Sequence, residues 1–405
     1  MAAGPPIDRN LFMKLQGPPP QAEPIVDRNK VGQVVLVFQG GGALGAYQGG
    51  VYQALHEAGI EPDWVIGTSI GAINGALIAG NAPEKRLERL RAFWAQTRHT
   101  RVTQLLGSNP FLGRQLTNAA TVLNGVQGFF TPQPLGWLGQ MAPWLRGIDS
   151  YYSTDALAGT LEKLIDRDLL NANAPRLTVG TAHVQTGEMR YFDSRDEPLN
   201  LRHVMASGAL PPAFPAVRIG DDLYWDGGIL SNTPIEAVFD DNPRRNGLVF
   251  LVNMWAPNGP EPDSLNSVAA RQKDLQFASR ATSHMIRQRQ IHKLRHVVAT
   301  MASMLSSEQR NSDEAHELAA YGCLTQMHVV RLLAPPLKGD DHFKDIDFSP
   351  SGITNRWEAG YLDTKLALDA RPWNKPCDPL EGFLLHEVRG GQMIPDAEPL
   401  KEAAQ

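Results

Sequence analysis

The sequence predicts an α/β protein of three layers, α/β/α, around a mostly parallel central sheet. Two observations carry that expectation. Near the N-terminus a strand, a tight turn and a helix follow one another twice in succession, the pattern of a right-handed crossover between parallel strands. Further along, apolar β-branched runs of strand length alternate with stretches of helical spacing. At 405 residues and 42% hydrophobic content, the chain is also long enough to bury a proper core without staples.

In order along the chain, residues 1–30 form a Pro-rich tail whose composition cannot bury enough surface to fold alone, and an irregular course is expected. VGQVVLVF (Val31 to Phe38) reads as the first strand. Tyr47, Val51, Leu55 and Ala58 recur at helical spacing behind a glycine loop. Asp63 to Ile66 is a second strand and Gly71 to Gly80 a second helix. RLTVGTAHV (Arg176 to Val184) and EMRYFD (Glu188 to Asp193) read as a strand pair, and GLVFLVNMW (Gly247 to Trp255) as a buried strand. Ser264 to Leu305 is a long polar helical stretch with Leu275, Ala278, Thr282, Met285 and Ile286 on one face. MHVVRLLAPP adds one more strand and ITNRWEAGYLDTKLAL an amphipathic helix.

The organisation expected is a catalytic domain over residues 31–260 and a mostly helical C-terminal extension over 261–405 packing on it. Residues 101–152, with Phe129, Phe130, Trp137 and Trp144 among prolines and glycines, interrupt the plan as a cap-like insert. The net charge of −5 supplies no basic field for nucleic acid. Cys323 and Cys377 are too few for a disulfide framework and lack the paired spacing of a zinc site, so no metal is expected and a reducing compartment is the simpler reading. With no signal-like start and no run of about eighteen apolar residues, a cytoplasmic location is expected.

The chemistry concentrates at GTSIG. Gly67 and Gly71 fence Ser69 where a strand ends and a helix of small residues begins. So sharp a turn excludes side chains at its corners, lifts the hydroxyl off the sheet edge and sets it at a helix N-terminus, the geometry of a nucleophile elbow. QGGGALGAYQ (Gln39 to Gln48) sits between a strand and a helix at the same sheet edge. Gly40, Gly42 and Gly45 match GxGxxG, but a dinucleotide site wants an acid at the end of the second strand, where Gly67, Thr68 and Ser69 stand instead. The better use of the loop is an oxyanion hole from the backbone N–H groups of Gly40, Gly41, Gly42 and Ala43. For the base, His183 and His203 are the least dismissible histidines. His56 sits inside the first helix, and His284, His292 and His296 fit a solvated helix face. Asp226, after a short strand and followed by Gly227 and Gly228 that let the chain turn away, is placed to face the cleft.

GGGALG, then GTSIG, then DGG, with ASGALPPAFPAV (Ala206 to Val217) just before the last, resemble the patatin-like phospholipase family in order and context over Val31 to Trp255. The resemblance implies a Ser69–Asp226 dyad without a histidine, and a lipid acyl hydrolase that needs no cofactor or metal. Asn232 and Pro234 fit the pattern after the aspartate. Leu44 stands where many members carry Arg or Lys. The partners implied are a lipid or other ester substrate and, peripherally, a membrane or lipid surface. The aromatic insert and YYSTDALAGTLEKLID are expected to wall an acyl pocket. Acyl transfer, hydrolysis of short-chain or hydroxyacid esters, and a lipid-binding scaffold without activity are the alternatives.

Overall fold

The computed structural model describes residues 24–98, 121–133, 136, 149–376, 378 and 381–394. Ten strands form one sheet in the order β12-β11-β10-β9-β1-β2-β5-β8-β7, with β6 paired to β5. They are β1 (Gln33–Phe38), β2 (Trp64–Thr68), β5 (Arg176–His183), β6 (Met189–Asp193), β7 (Val217–Ile219), β8 (Asp222–Asp226), β9 (Gly247–Asn253), β10 (Met327–Leu333), β11 (Phe383–Arg389) and β12 (Gln392–Ile394). A separate two-stranded ribbon joins β3 (Thr131–Pro132) to β4 (Tyr152–Ser153). The run β11-β10-β9-β1-β2-β5 is parallel throughout, and the antiparallel members sit at its two ends.

The strand register explains why these segments read as continuous apolar runs. Leu385, Val329, Val249, Val35 and Trp64 form one row across five strands, all in the core on one face of the sheet. Val330, Phe250, Leu36, Val65 and Leu177 form the next row, in the core on the other face. Parallel strands covered on both faces need apolar residues at every position, because alternate side chains meet alternate helix layers. Each such side chain contributes about 1.5–3 kcal/mol through burial.

Seven helices matter to the site: α1 (Ala46–Glu57), α2 (Ile70–Ala79), α3 (Pro83–Gln96), α4 (Asp155–Leu164), α5 (Leu201–Ser207), α6 (Leu265–Met304) and α7 (Pro350–Ala370). One layer takes the apolar sides of α1, α2, α3 and α7. The other takes Ile235, Val238 and Phe239 with Met285 of α6. Helices α1 and α7 touch backbone to backbone. A Cβ on Gly50 would lie 1.8 Å from the Trp357 carbonyl oxygen, and one on Gly360 2.0 Å from that of Tyr47.

Two expectations for residues 261–405 are corrected. The sequence reading found one strand there; the structure has three, and they continue the central sheet, β10 pairing with β9 along its whole length. In α6, Ala278 and Met285 are buried as expected, but Leu275 is exposed. Of the Pro-rich tail, residues 1–23 lie outside the described residues, and Asp27 caps a short helix, Arg28–Val31. Most of the cap-like insert, including Trp137 and Trp144, also lies outside them, as does Cys377. Among the described residues no helix is long and apolar enough to cross a membrane.

Candidate active site

Ser69 follows the last residue of β2 and precedes α2, with φ 57° and ψ −126°. A non-glycine residue in that region stores about 1–3 kcal/mol of backbone strain. The flanking glycines are required by space. A Cβ on Gly67 would lie 2.3 Å from the Gly71 carbonyl group, and one on Gly71 2.4 Å from the Phe38 carbonyl oxygen. The strained turn is fastened by a residue that the sequence reading missed. The Ser69 N–H donates to Ser207 Oγ at 2.9 Å, and the Ser207 hydroxyl donates to the Gly180 carbonyl at 2.6 Å.

Strand register brings Asp226 to the same place. On β5, Gly180 pairs with Thr68, the residue before Ser69, and the next residue, Thr181, pairs with Asp226. Because β6 occupies the other edge of β5 over Thr178 to Ala182, β8 continues the edge on which β2 ends. Asp226 is almost fully buried, and desolvation pushes its carboxyl from the ordinary 3.8 up to about 7. Two donors, the Ser69 hydroxyl and the Gly228 N–H, pull in the opposite direction. The Gly228 bond measures 2.7 Å. Gly227 is held to glycine by the Gly180 carbonyl oxygen, 2.5 Å from where its Cβ would be.

The glycine loop is pinned on both sides. The Gly40 N–H donates to the Asn232 carbonyl at 3.2 Å, and the Asn232 side-chain amide donates to the Gly40 carbonyl at 3.1 Å. That corrects the expectation for Gly40. Its N–H is committed to Asn232, and its missing side chain makes room for Asn232 Oδ1 and for Ser69 Cβ. The Leu44 N–H donates back to the Gly41 carbonyl. Gly42 has φ +55°, with the Asp345 carbonyl oxygen 2.3 Å from its missing Cβ. Gly45 packs on Ile70. Ala43 and Leu44 are buried, so the position that carries a cation in many family patterns here contributes apolar packing. Beneath the loop runs a buried polar chain. Trp94 donates to Asn74, Asn74 to Gln48 and the Gly45 carbonyl, Gln48 to the Gln39 carbonyl, and Gln39 to Thr233.

These groups meet at a cavity of about 240 Å³ whose lining includes Gly40, Gly41, Gly42, Ser69, Asp226 and Gly228. The rest of its wall is largely apolar. Phe129 and Phe130 come from the edge of the insert, and Tyr152 and Leu157 from the segment expected to line a pocket. Phe277, Asp345, Ile346 and Phe348 come from the C-terminal extension, which the sequence reading did not place at the site. The histidines stand elsewhere. His203 Nδ1 accepts from the Asn200 N–H and its ring lies on Phe192. His183 pairs with Asp222 at 3.4 Å. Neither lines the cavity. His292 and His296 are buried, which corrects the expectation of a solvated face.

A doubly covered, mostly parallel sheet with a serine on a strained strand-to-helix turn and a buried carboxyl on the same sheet edge defines an α/β protein with the backbone geometry of an elbow turn. Residues 36–239 match the family described as Patatin-like phospholipase, and residues 275–380 match one described as Patatin phospholipase. The chain belongs to the patatin-like phospholipase family. It is similar to an "Uncharacterized NTE family protein" of Mycobacterium tuberculosis, 28% identical over 220 residues, which is 54% of this chain and 30% of the relative. It also resembles "Lysophospholipase nte1" of Aspergillus terreus, 61% identical over 49 residues, 12% of this chain and 3% of the relative. Human "Patatin-like phospholipase domain-containing protein 6" is 44% identical over 64 residues, 16% of this chain and 5% of the relative. The chain thus matches less than a third of the length of these curated relatives.

Proposed function

We propose that this chain hydrolyses carboxylic esters of lipids through an acyl-Ser69 intermediate, with Asp226 as the base and without a histidine. The observation that carries the reading is Ser69 on its strained turn beside the buried Asp226 carboxylate, both lining one largely apolar cavity. Ser69 Oγ attacks the ester carbonyl while its proton passes to Asp226. The N–H groups of Gly41, Gly42 and Ala43 take up the charge on the carbonyl oxygen, each such donor typically lowering the barrier by about 3 kcal/mol. The tetrahedral adduct expels the alcohol, which takes the proton from Asp226. Water then attacks the acyl-serine, giving its proton to Asp226; as the second tetrahedral adduct collapses, the bond from the acyl carbon to Ser69 Oγ breaks, Oγ takes that proton back from Asp226, and the acid leaves.

The raised carboxyl value suits this role. With water's pKa of about 15.7 standing in for the hydroxyl, an ordinary aspartate faces a transfer uphill by roughly 16 kcal/mol. At about 7 the gap falls to roughly 12 kcal/mol. The remainder requires proton transfer to accompany attack rather than precede it. The catalytic unit proposed is residues 31–260, with residues 261–405 completing the cavity wall.

A fluorophosphonate probe tests the reading. Modification of Ser69, identified by peptide mass, is expected, and Ser69→Ala and Asp226→Asn should each lower p-nitrophenyl ester hydrolysis by several orders of magnitude. His183→Ala and His203→Ala should keep most activity. An unlabelled Ser69 would leave an inactive lipid-binding scaffold as the reading, and near-complete loss in either histidine variant with the fold preserved would replace the dyad by a triad.

A further inference from the structure

Helix α6 carries His292 and His296 four residues apart, so both rings project from one face, a turn apart. Both are buried, their ring centroids 4.8 Å apart, and the Nε2 atoms of both lie against one acceptor, the Thr325 carbonyl oxygen, at 2.8 and 2.9 Å. Cys323 stands two residues before Thr325 in the segment that leads into β10. Its N–H donates to the Arg295 carbonyl of α6, and its half-buried thiol, in no disulfide, accepts from the Thr325 hydroxyl at 3.6 Å. One nitrogen from each ring and the sulfur lie within 4.8 Å of one another. A third segment completes the enclosure. Gly382, just before β11, has φ +58°, and a Cβ there would sit 2.2 Å from His296 Nε2 and 3.0 Å from His292 Nε2. Only glycine fits at position 382, where its backbone lies close against both nitrogens.

Three donors converge here from two segments, and their chemistry is selective. Two imidazoles and a thiolate suit a borderline-soft cation such as Zn²⁺, whereas Mg²⁺ and Ca²⁺ require oxygen ligands. Around zinc at bond lengths of about 2.0–2.3 Å, neighbouring tetrahedral ligand atoms stand roughly 3.3–3.8 Å apart. The cluster therefore needs to close by about 1 Å, within reach of side-chain rotation.

We propose that His292, His296 and Cys323 bind a single zinc-type divalent cation that fastens the C-terminal half of α6 to the entrance of β10. A water or the Thr325 carbonyl supplies the fourth ligand. On binding, the thiol releases its proton to solvent, and each ring gives up its Nε2–H bond to Thr325 and carries its proton on Nδ1 instead, so that the Nε2 lone pair faces the cation. The site is structural. Met327 and Gly247 are the first residues of β10 and β9, whereas Ser69 follows the last residue of β2, so cation and elbow lie at opposite ends of a parallel sheet. The chain lacks the paired cysteines by which zinc sites are read from sequence. The signal present is HxxxH on a helix with a cysteine twenty-seven residues beyond the second histidine.

The test uses the full chain, stripped by a chelator and reloaded with Zn²⁺ or Co²⁺. One metal per chain should survive dialysis, and the Co²⁺ form should show thiolate-to-cobalt charge transfer with the intense visible bands of four-coordination. Zn²⁺ but not Mg²⁺ should raise the melting temperature and protect Cys323 from alkylation, read by peptide mass. Cys323→Ser, a near-isosteric change that leaves the fold intact, should abolish the charge-transfer band and weaken Zn²⁺ binding ~100-fold or more. Absence of stoichiometric uptake, or Cys323→Ser binding as tightly as the parent, would overturn the proposal and leave the two rings as hydrogen-bond donors to Thr325. Loss of fluorophosphonate labelling on stripping, at a temperature where the chain stays folded, would overturn the structural role.

Discussion

Replacing Asp226 by asparagine should abolish hydrolysis and stabilise the fold at the same time. The carboxyl is buried, and its value rises from 3.8 to about 7 because burial disfavours the charged form. For an acid whose value is raised on folding, stability is fully present below the unfolded value and is lost as pH rises through the folded one. At about 1.4 kcal/mol for each pH unit, the ionised carboxylate costs the native state roughly 4 kcal/mol once the pH is well above 7, and roughly 2 kcal/mol at pH 5. Asparagine keeps an oxygen for the Gly228 N–H and carries no charge, so it escapes the penalty. With an unfolding entropy of about 2.1 cal/mol/K per residue, 4 kcal/mol corresponds to a rise in melting temperature of roughly 5 °C. Scanning fluorimetry of both proteins from pH 5 to pH 9 reads the difference, which should widen with pH. On the proposed mechanism the same titration governs catalysis: kcat/KM should fall on the acid side with an apparent pKa of about 7, as Asp226 becomes protonated. A variant no more stable than the parent at pH 9, or a gap that does not depend on pH, would refute the reasoning by showing that the carboxylate is solvated.

Three further outcomes follow from the same geometry. Ser69→Gly should melt higher than Ser69→Ala by about 1 kcal/mol of stability, because glycine relieves the strain at φ 57° and alanine does not; equal melting temperatures would show that the turn is unstrained. Ser207→Ala leaves the Ser69 N–H and the Gly180 carbonyl without their shared partner, at about 1–3 kcal/mol for each buried group left unpaired. Its kcat on a p-nitrophenyl ester should drop by about tenfold or more with KM little changed, and an unchanged kcat would remove Ser207 from the positioning of the elbow. Phe214→Ala opens the wall that Phe214 shares with Phe130 and Tyr152, so the preferred acyl chain should lengthen, each accommodated methylene changing relative kcat/KM by about tenfold or more. An unaltered chain-length profile would place the acyl group elsewhere.

What was legible in the sequence was whatever the backbone imposes locally. Gly67 and Gly71 announce the elbow because no other residue fits within 2.4 Å of a neighbouring carbonyl group, and Asp226 announces itself through the two glycines behind it. The parallel strands show because burial on both faces leaves no polar alternation. Residues whose meaning lies in a distant partner left no such mark. Ser207 is one hydroxyl at the end of a seven-residue helix, and only the fold places it between Ser69 and Gly180. Gln39, Gln48 and Asn74 are polar residues in apolar surroundings, and their mutual satisfaction appears only when α1, α2 and the loop are brought together. One omission was avoidable. FLLHEVR, Gly390, Gly391 and QMI form a hairpin whose two central glycines have φ +59° and +73°, and a two-glycine turn between apolar runs is a recognised hairpin signal.

The burial of α6 shows why periodicity failed there and why that matters to the cavity. Its buried positions include Ala278, Met285, Gln288, His292 and His296, a stripe at helical spacing whose later members are polar, so no apolar pattern marks the inward face. Two of its polar members find a partner, the histidines on the Thr325 carbonyl, whereas Gln288 Oε1 is buried without one. The same helix presents Phe277 to the cavity, and Lys273, four residues earlier, pairs with Asp345, whose carbonyl oxygen stands against Gly42. Helix α6 therefore meets the glycine loop at its N-terminal half, directly where the Phe277 carbonyl accepts from Gln39 and indirectly through Asp345, and the entrance of β10 at its C-terminal half. A segment that reads in sequence as an appendage supplies one wall of the cavity, through Phe277, Asp345, Ile346 and Phe348.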